Sequence, residues 1–178
     1  KKLIAGEYVN GLGKTLGHFC ARTAFRGSDL SLPTNEKKKD TALFQGNAEL
    51  MAISENLVFT DPYFEAEMNH HTQGLEPVVK KLRSDISLKT DAQKILQKFA
   101  SNTETLLHGD LHSGSVMCTD TETKIIDPEF GFYGPMGFDI GMLISNFLMA
   151  YFSQPGHRTE NTLEKYQDWI LSVIDEIY

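Results

Sequence analysis

The sequence predicts a mainly α-helical domain with a small β-hairpin insert, on three observations. Apolar residues recur at three- and four-residue intervals through most of the chain before residue 101 and after residue 138. Between those limits the period changes: residues 105–107, 116–118 and 124–126 are short β-prone runs, the last two joined by the turn TDTET. The chain has 178 residues, 40% of them hydrophobic and 23% charged, the size and balance of one globular domain with a real core.

The helical segments follow in order. Leu12, Leu16, Phe19, Cys20 and Thr23 share a helical face, which predicts a helix over residues 7–25, with Gly11, Gly13 and Gly17 marking close packing against a neighbour. The string GLGKT within it is not a phosphate loop, because Tyr8 stands where that motif needs its first glycine. Residues 27–35 read as a loop, and Lys37, Lys38 and Lys39 as a solvated first turn. Ala42, Leu50, Ile53 and Leu57 predict one further helix, ending before Thr60-Asp61-Pro62. Adjacent His70 and His71 are poorly spaced for a shared metal on a helix. Helices are expected over residues 76–83 and 89–101, the second burying Leu88, Ala92, Ile95, Leu96 and Phe99. After the hairpin, residues 131–137 form a glycine-rich loop, followed by a buried apolar helix over residues 138–152. The last helix has a capping box, Asn161 with Glu164, and a stripe of Leu163, Tyr166, Ile170, Val173, Ile174 and Ile177.

The totals exclude several classes. A net charge of -7 argues against non-specific nucleic-acid binding. Cys20 and Cys118 have no metal-type spacing and build no disulfide framework, so a reducing, cytoplasmic setting is expected. The apolar segment 138–152 is interrupted by Asp139, Ser145 and Asn146 and is shorter than the roughly 20 residues of a membrane span. No apolar run at the start reads as a signal peptide.

Chemistry concentrates in residues 106–141, LLHGDLHSGSVMCTDTETKIIDPEFGFYGPMGFDIG. Asp110 follows a short strand in His-Gly-Asp-Leu-His, where a carboxylate is placed to orient a hydroxyl and take its proton. Asp127 and Glu129 lie two apart beyond the hairpin; on extended backbone both carboxylates would point the same way, towards one hard cation. A magnesium ion there, bridging to a nucleotide's phosphates, would relieve their repulsion.

These residues, in this order, resemble the protein-kinase and aminoglycoside-phosphotransferase superfamily, and within it the 5-methylthioribose kinases. HGDLHSGS (108–115), IDPEF (126–130) and FYGPMGFDIG (132–141) look like signatures of that family, and LFQGNAEL (43–50) and VFTDPY (58–63) are similar to its helical lobe. The resemblance implies the helical C-terminal lobe of a protein-kinase-like fold over residues 1–178, with a catalytic loop at 108–115 and a metal loop at 127–137. Asp110 is then the catalytic, substrate-binding residue facing the sugar's anomeric hydroxyl, its role mainly orientation because the transition state is loose. Asp127 and Glu129 would hold Mg2+ on the phosphates of ATP. His108 would brace the catalytic loop and Asp139 would accept hydrogen bonds from its backbone; His112 either orients that loop or touches ligand. Ordinary relatives carry a metal-binding Asn where this chain has Ser115, and protein kinases read Asp-Phe-Gly at Asp127-Pro128-Glu129. Glu129 is expected to take over the coordination a serine supplies weakly, an exchange those kinases share.

The implied reaction converts ATP and 5-methylthioribose to ADP and 5-methylthioribose 1-phosphate, in methionine salvage. The ATP-clamping N-terminal lobe and the substrate-gripping arginine pair are expected outside residues 1–178, which makes the isolated lobe inactive and puts basic phosphate contacts elsewhere. No nucleic-acid or membrane partner is expected, and the resemblance implies a homodimer. Three alternatives stay open: another small-molecule kinase, acting on choline, homoserine or aminoglycosides; a metal-dependent phosphoesterase, for which Gly-Asn-His motifs are lacking; and a non-catalytic lobe.

Overall fold

Three helices with matching apolar stripes form the main core. A computed structural model describes residues 1–119 and 121–178; Asp120, in the TDTET turn, lies outside the described residues. The short helix α1 (Lys2–Ala5) precedes α2 (Leu12–Arg26), which buries Leu12, Gly13, Leu16 and Cys20. Two of the three glycines do mark close packing: a Cβ on Gly13 would lie 2.6 Å from the Val173 carbonyl, and one on Gly17 2.7 Å from that of Glu176. Gly11 does not; a Cβ there would meet nothing within 4 Å, and the residue is instead the left-handed N-cap of the helix, φ 65°. Residues 7–11 are not helical, so α2 starts later than its periodicity predicts.

Opposite α2 stands α8 (Glu160–Ile177), burying Tyr166, Ile170, Val173 and Ile177 at four-, three- and four-residue steps. The third member, α7 (Gly137–Ser153), contributes Leu143 and Phe147. Each of these fully buried side chains adds roughly 1.5–3 kcal/mol of hydrophobic stabilisation. The predicted capping box is absent. The N-cap is Thr159, whose carbonyl takes the N–H groups of Thr162 and Leu163, so Asn161 already lies in the first turn and no side chain caps the helix. Nor is α7 buried all round: Met149 and Phe152 are 62% and 74% exposed, and one face alone packs inward. No helix among the described residues is long and apolar enough to cross a membrane.

A second, aromatic cluster joins Phe59, Phe99, Leu107 and Phe132, with Phe138 packed at a tilt against Phe99 at 4.7 Å between ring centroids. Phe99 comes from α6 (Ile86–Ser101), which starts earlier than expected because the Asp85 side chain caps the Leu88 N–H at 2.9 Å. Its buried residues are Ala92 and Phe99, while Leu88 and Ile95 are exposed. α5 (Glu76–Ser84) precedes it. The single helix expected through Ala42 and Leu57 is broken. α3 (Thr34–Leu43) begins inside the predicted loop, a 3-10 turn spans Gln45–Asn47, α4 (Ala48–Ser54) follows, and a wider π turn covers Glu55–Thr60. Asn47 enforces the break by donating to the backbone carbonyls of Glu129 and Gly131.

The β structure is two antiparallel pairs. β2 (Val116–Cys118) and β3 (Thr123–Ile125) form the predicted hairpin, the second strand lying one residue earlier than expected. β1 (Thr105–Leu107) pairs with β4 (Phe132–Gly134), inside the stretch read as a glycine-rich loop. Phe132 is drawn into the aromatic cluster, and its pairing partner is remote in sequence.

Phe99 touches Phe59, Phe132 and Phe138, so Phe99→Ala should cost about 3–5 kcal/mol. Urea unfolding of the full-length protein measures this; a loss under about 1 kcal/mol would mean that the cluster carries little of the fold.

Candidate active site

The segment after β1 is pinned at both ends by different hydrophobic clusters. Leu107 belongs to the aromatic cluster and Leu111, with no exposure, to the main core. Between them the backbone has little freedom. Asp139, buried in the first turn of α7, accepts the His108 N–H at 2.7 Å on Oδ2 and the Gly109 N–H at 3.1 Å on Oδ1. Gly109 sits at φ 84°, and any Cβ there would collide with the Phe130 carbonyl, so the position requires glycine.

His108 is also buried. Its Nε2 donates to the Ile126 carbonyl at 2.9 Å, and Nδ1 accepts the Asp110 N–H at 3.4 Å. A carbonyl only accepts and an amide N–H only donates, so the ring hydrogen is on Nε2. One imidazole thus ties the backbone of Asp110 to the residue before Asp127. Ser115, 5% exposed, donates its hydroxyl to the Asp110 carbonyl at 3.0 Å, and its own carbonyl receives the Ile126 N–H at 2.9 Å. Ser113 donates its N–H (3.3 Å) and its hydroxyl (2.9 Å) to Oδ1 of Asn146 on α7.

Asp110 turns its carboxylate towards the surface, its side chain 38% exposed, and His112 Nε2 lies 3.3 Å from Oδ2. His112 Nδ1 accepts the Gly114 N–H at 2.9 Å. Asp127 and Glu129 are exposed on the adjoining turn, without the extended backbone on which their alignment was predicted. Asp127 is left-handed, φ 67° and ψ 53°, and Glu129 lies in the 3-10 turn Pro128–Phe130. Among the described residues Asp127 is the one non-glycine with positive φ. That conformation costs about 1–2 kcal/mol, and such strain persists where surrounding structure over-determines it.

Five predicted site residues, His108, Asp110, His112, Ser115 and Asp139, therefore form one connected polar network, with Asp127 and Glu129 on the turn joined to it through Ile126. Among the described residues no three His, Cys, Asp or Glu side chains gather into a metal cage. Two further residues serve the site without a motif to mark them: Asn47, which holds the Glu129 turn, and Asn146, which holds Ser113. The signal for Asn146 was present as a polar interruption of an apolar helix. Cys20 lies near this network but is no nucleophile: burial, then the charge of Asp139, pushes its thiol up to about 11.

Comparison with known proteins identifies the group. The APH phosphotransferase enzyme family matches residues 9–169, and the chain belongs to it. It is 47% identical over 176 residues to a methylthioribose kinase of Escherichia coli, covering 98% of this chain and 42% of that protein. Methylthioribose kinase 1 of Oryza sativa subsp. japonica is 40% identical over 178 residues, 99% of this chain and 41% of its own length. A methylthioribose kinase of Geobacillus thermodenitrificans is 46% identical over 155 residues, 87% of this chain and 39% of its own. The chain thus spans about four tenths of the length of these relatives.

Burial raises the Asp139 carboxyl above its ordinary 3.8, outweighing the opposing effect of its two N–H donors and of His108. The sign follows: the stability this group contributes is full below its unfolded value and is lost as pH rises through the raised native one. Asp139→Asn should flatten that slope. It should also cost about 1–3 kcal/mol at neutral pH, because an amide nitrogen then faces one of the two N–H groups. Urea unfolding across the acid range measures both; an unchanged slope would show that Asp139 does not titrate as stated.

Proposed function

We propose that this member of the phosphotransferase enzyme family supplies the catalytic lobe of a 5-methylthioribose kinase, transferring the γ-phosphoryl group of ATP to the sugar's anomeric hydroxyl. The observation that carries the reading is the His108 bridge, which couples the backbone of Asp110 to the residue preceding Asp127. A phosphoryl-transfer site needs its acceptor-facing carboxylate and its nucleotide-facing carboxylates in fixed relation, and here one rigid ring links them. The 40–47% identity to methylthioribose kinases over nearly the whole chain supports the acceptor.

In this reading Asp110 accepts a hydrogen bond from the anomeric hydroxyl and aims its oxygen at the γ-phosphorus. The new O–P bond forms as the bond from the γ-phosphorus to the β,γ-bridging oxygen breaks, ADP leaves, and the hydroxyl proton passes to the Asp110 carboxylate and then to solvent. Because the transition state is loose, orientation matters more than early proton removal.

Asp127 and Glu129 are the residues that would hold magnesium. The donor set fits: two exposed carboxylates, with no third His, Cys, Asp or Glu gathered beside them among the described residues, suit a cation that keeps waters and shares itself with phosphates. When bound, the ion would neutralise charge on the phosphates. Ser115, buried and donating to the Asp110 carbonyl, is reserved for the loop, which supports Glu129 as the second carboxylate ligand. The setting proposed is cytoplasmic, within methionine salvage.

In the full-length protein, Asp110→Ala should lower turnover of 5-methylthioribose with ATP by about 10³-fold while ATP affinity by calorimetry stays near wild type. Retained turnover would remove Asp110 from the mechanism. Assays with labelled ATP against 5-methylthioribose, choline, homoserine and an aminoglycoside test the acceptor, and preference for any of the last three would overturn it.

A further inference from the structure

His112 is held more tightly than a surface histidine needs to be. Its backbone is extended, φ −126° and ψ 171°, and it caps the 3-10 turn Ser113–Ser115 through Nδ1, which accepts the Gly114 N–H. Its own N–H donates to the Asp110 carbonyl at 3.1 Å, and its carbonyl receives the Ser115 N–H at 3.0 Å. Asn146 secures the next residue. A ring nitrogen that accepts from an amide carries no hydrogen, so the hydrogen of this imidazole is on Nε2. That N–H group stands 3.3 Å from Asp110 Oδ2.

The network around Asp110 otherwise grips its backbone: His108 takes the N–H, and Ser115 and His112 donate to the carbonyl. The carboxylate keeps its own side-chain torsions. Among the described residues His112 is the side chain that reaches it.

We propose that His112 is a positioning residue for Asp110: its Nε2–H holds Oδ2 and leaves Oδ1 directed at the acceptor hydroxyl. A carboxylate gripped on one oxygen offers the other in a single direction, whereas an ungripped one divides its time among rotamers of which only some face the acceptor. The 3.3 Å separation is the loose form common before a site fills, and it closes to a hydrogen bond when substrate draws in Asp110. The role rests on the reading of Asp110 as the acceptor-facing carboxylate.

Two substitutions in the full-length enzyme separate positioning from folding. His112→Asn keeps the cap, since asparagine is a favoured N-cap and its Oδ1 accepts the Gly114 N–H, but it is too short to reach Asp110. His112→Gln places an amide N–H near the position of the lost Nε2–H. His112→Asn should lower kcat for 5-methylthioribose about ten- to hundredfold, with KM for ATP and the melting temperature near wild type, and His112→Gln should recover most of it. Wild-type kcat in His112→Asn overturns the proposal, as does His112→Gln being no better than His112→Asn, or a lowered melting temperature in both. Wild-type enzyme that does not phosphorylate 5-methylthioribose at all overturns the functional reading instead, and this role with it.

Discussion

A single buried carboxylate organises this lobe. Asp139 pays a desolvation cost that lifts its pKa, and two backbone N–H groups of the loop after β1 answer it. The exchange is two-sided. Without Asp139 the His108 and Gly109 amides would be buried donors lacking a partner, and without those amides Asp139 would be a buried charge. The arrangement dictates its neighbours: the loop must pass Asp139 so closely that Gly109 takes a left-handed turn against Phe130, and His108 is thereby set beneath Ile126. Asp110 then emerges at the surface with its backbone already fixed on both sides.

The hydrophobic clusters give that polar clamp its leverage. Leu107 is locked among aromatic rings and Leu111 among the aliphatic stripes of α2, α7 and α8, so the intervening residues span the seam between two cores. Seams of this kind let a rigid body hold a short, strained segment without building it from regular structure. The left-handed Asp127 has the same support, with β3 on one side and Asn47 holding the turn on the other.

How much was legible in the sequence depended on how local the cause was. The stripe of α8, the close-packing glycines of α2 and the hairpin of β2 and β3 are written in neighbouring residues and were read from them. The family motifs pointed to the residues of the polar network because its members lie within two short stretches. What escaped had distant causes. β4 looks like loop, rich in glycine and proline, until its partner β1 and the aromatic cluster claim Phe132. The break between α3 and α4 is enforced by carbonyls more than 80 residues away, to which Asn47 donates. The expected alignment of Asp127 and Glu129 requires an extended backbone that the chain does not adopt there. The apparent capping box at Asn161 failed for a local reason: Thr159 is already extended and starts the helix two residues sooner.

The face of α7 that carries Asp139, Leu143, Asn146 and Phe147 serves the core and the loop together. Asp139 and Asn146 hold the loop's two ends while Leu143 and Phe147 are embedded in packing. The helix therefore acts as a gauge block, its 3.6-residue period setting the distance between the two loop contacts. Such a stripe is closed to gradual evolutionary drift. A change that re-seats the helix in the core also moves both loop contacts, so this face can diverge only through compensated, simultaneous replacements. The opposite face, with Met149 and Phe152 exposed, carries neither loop contact.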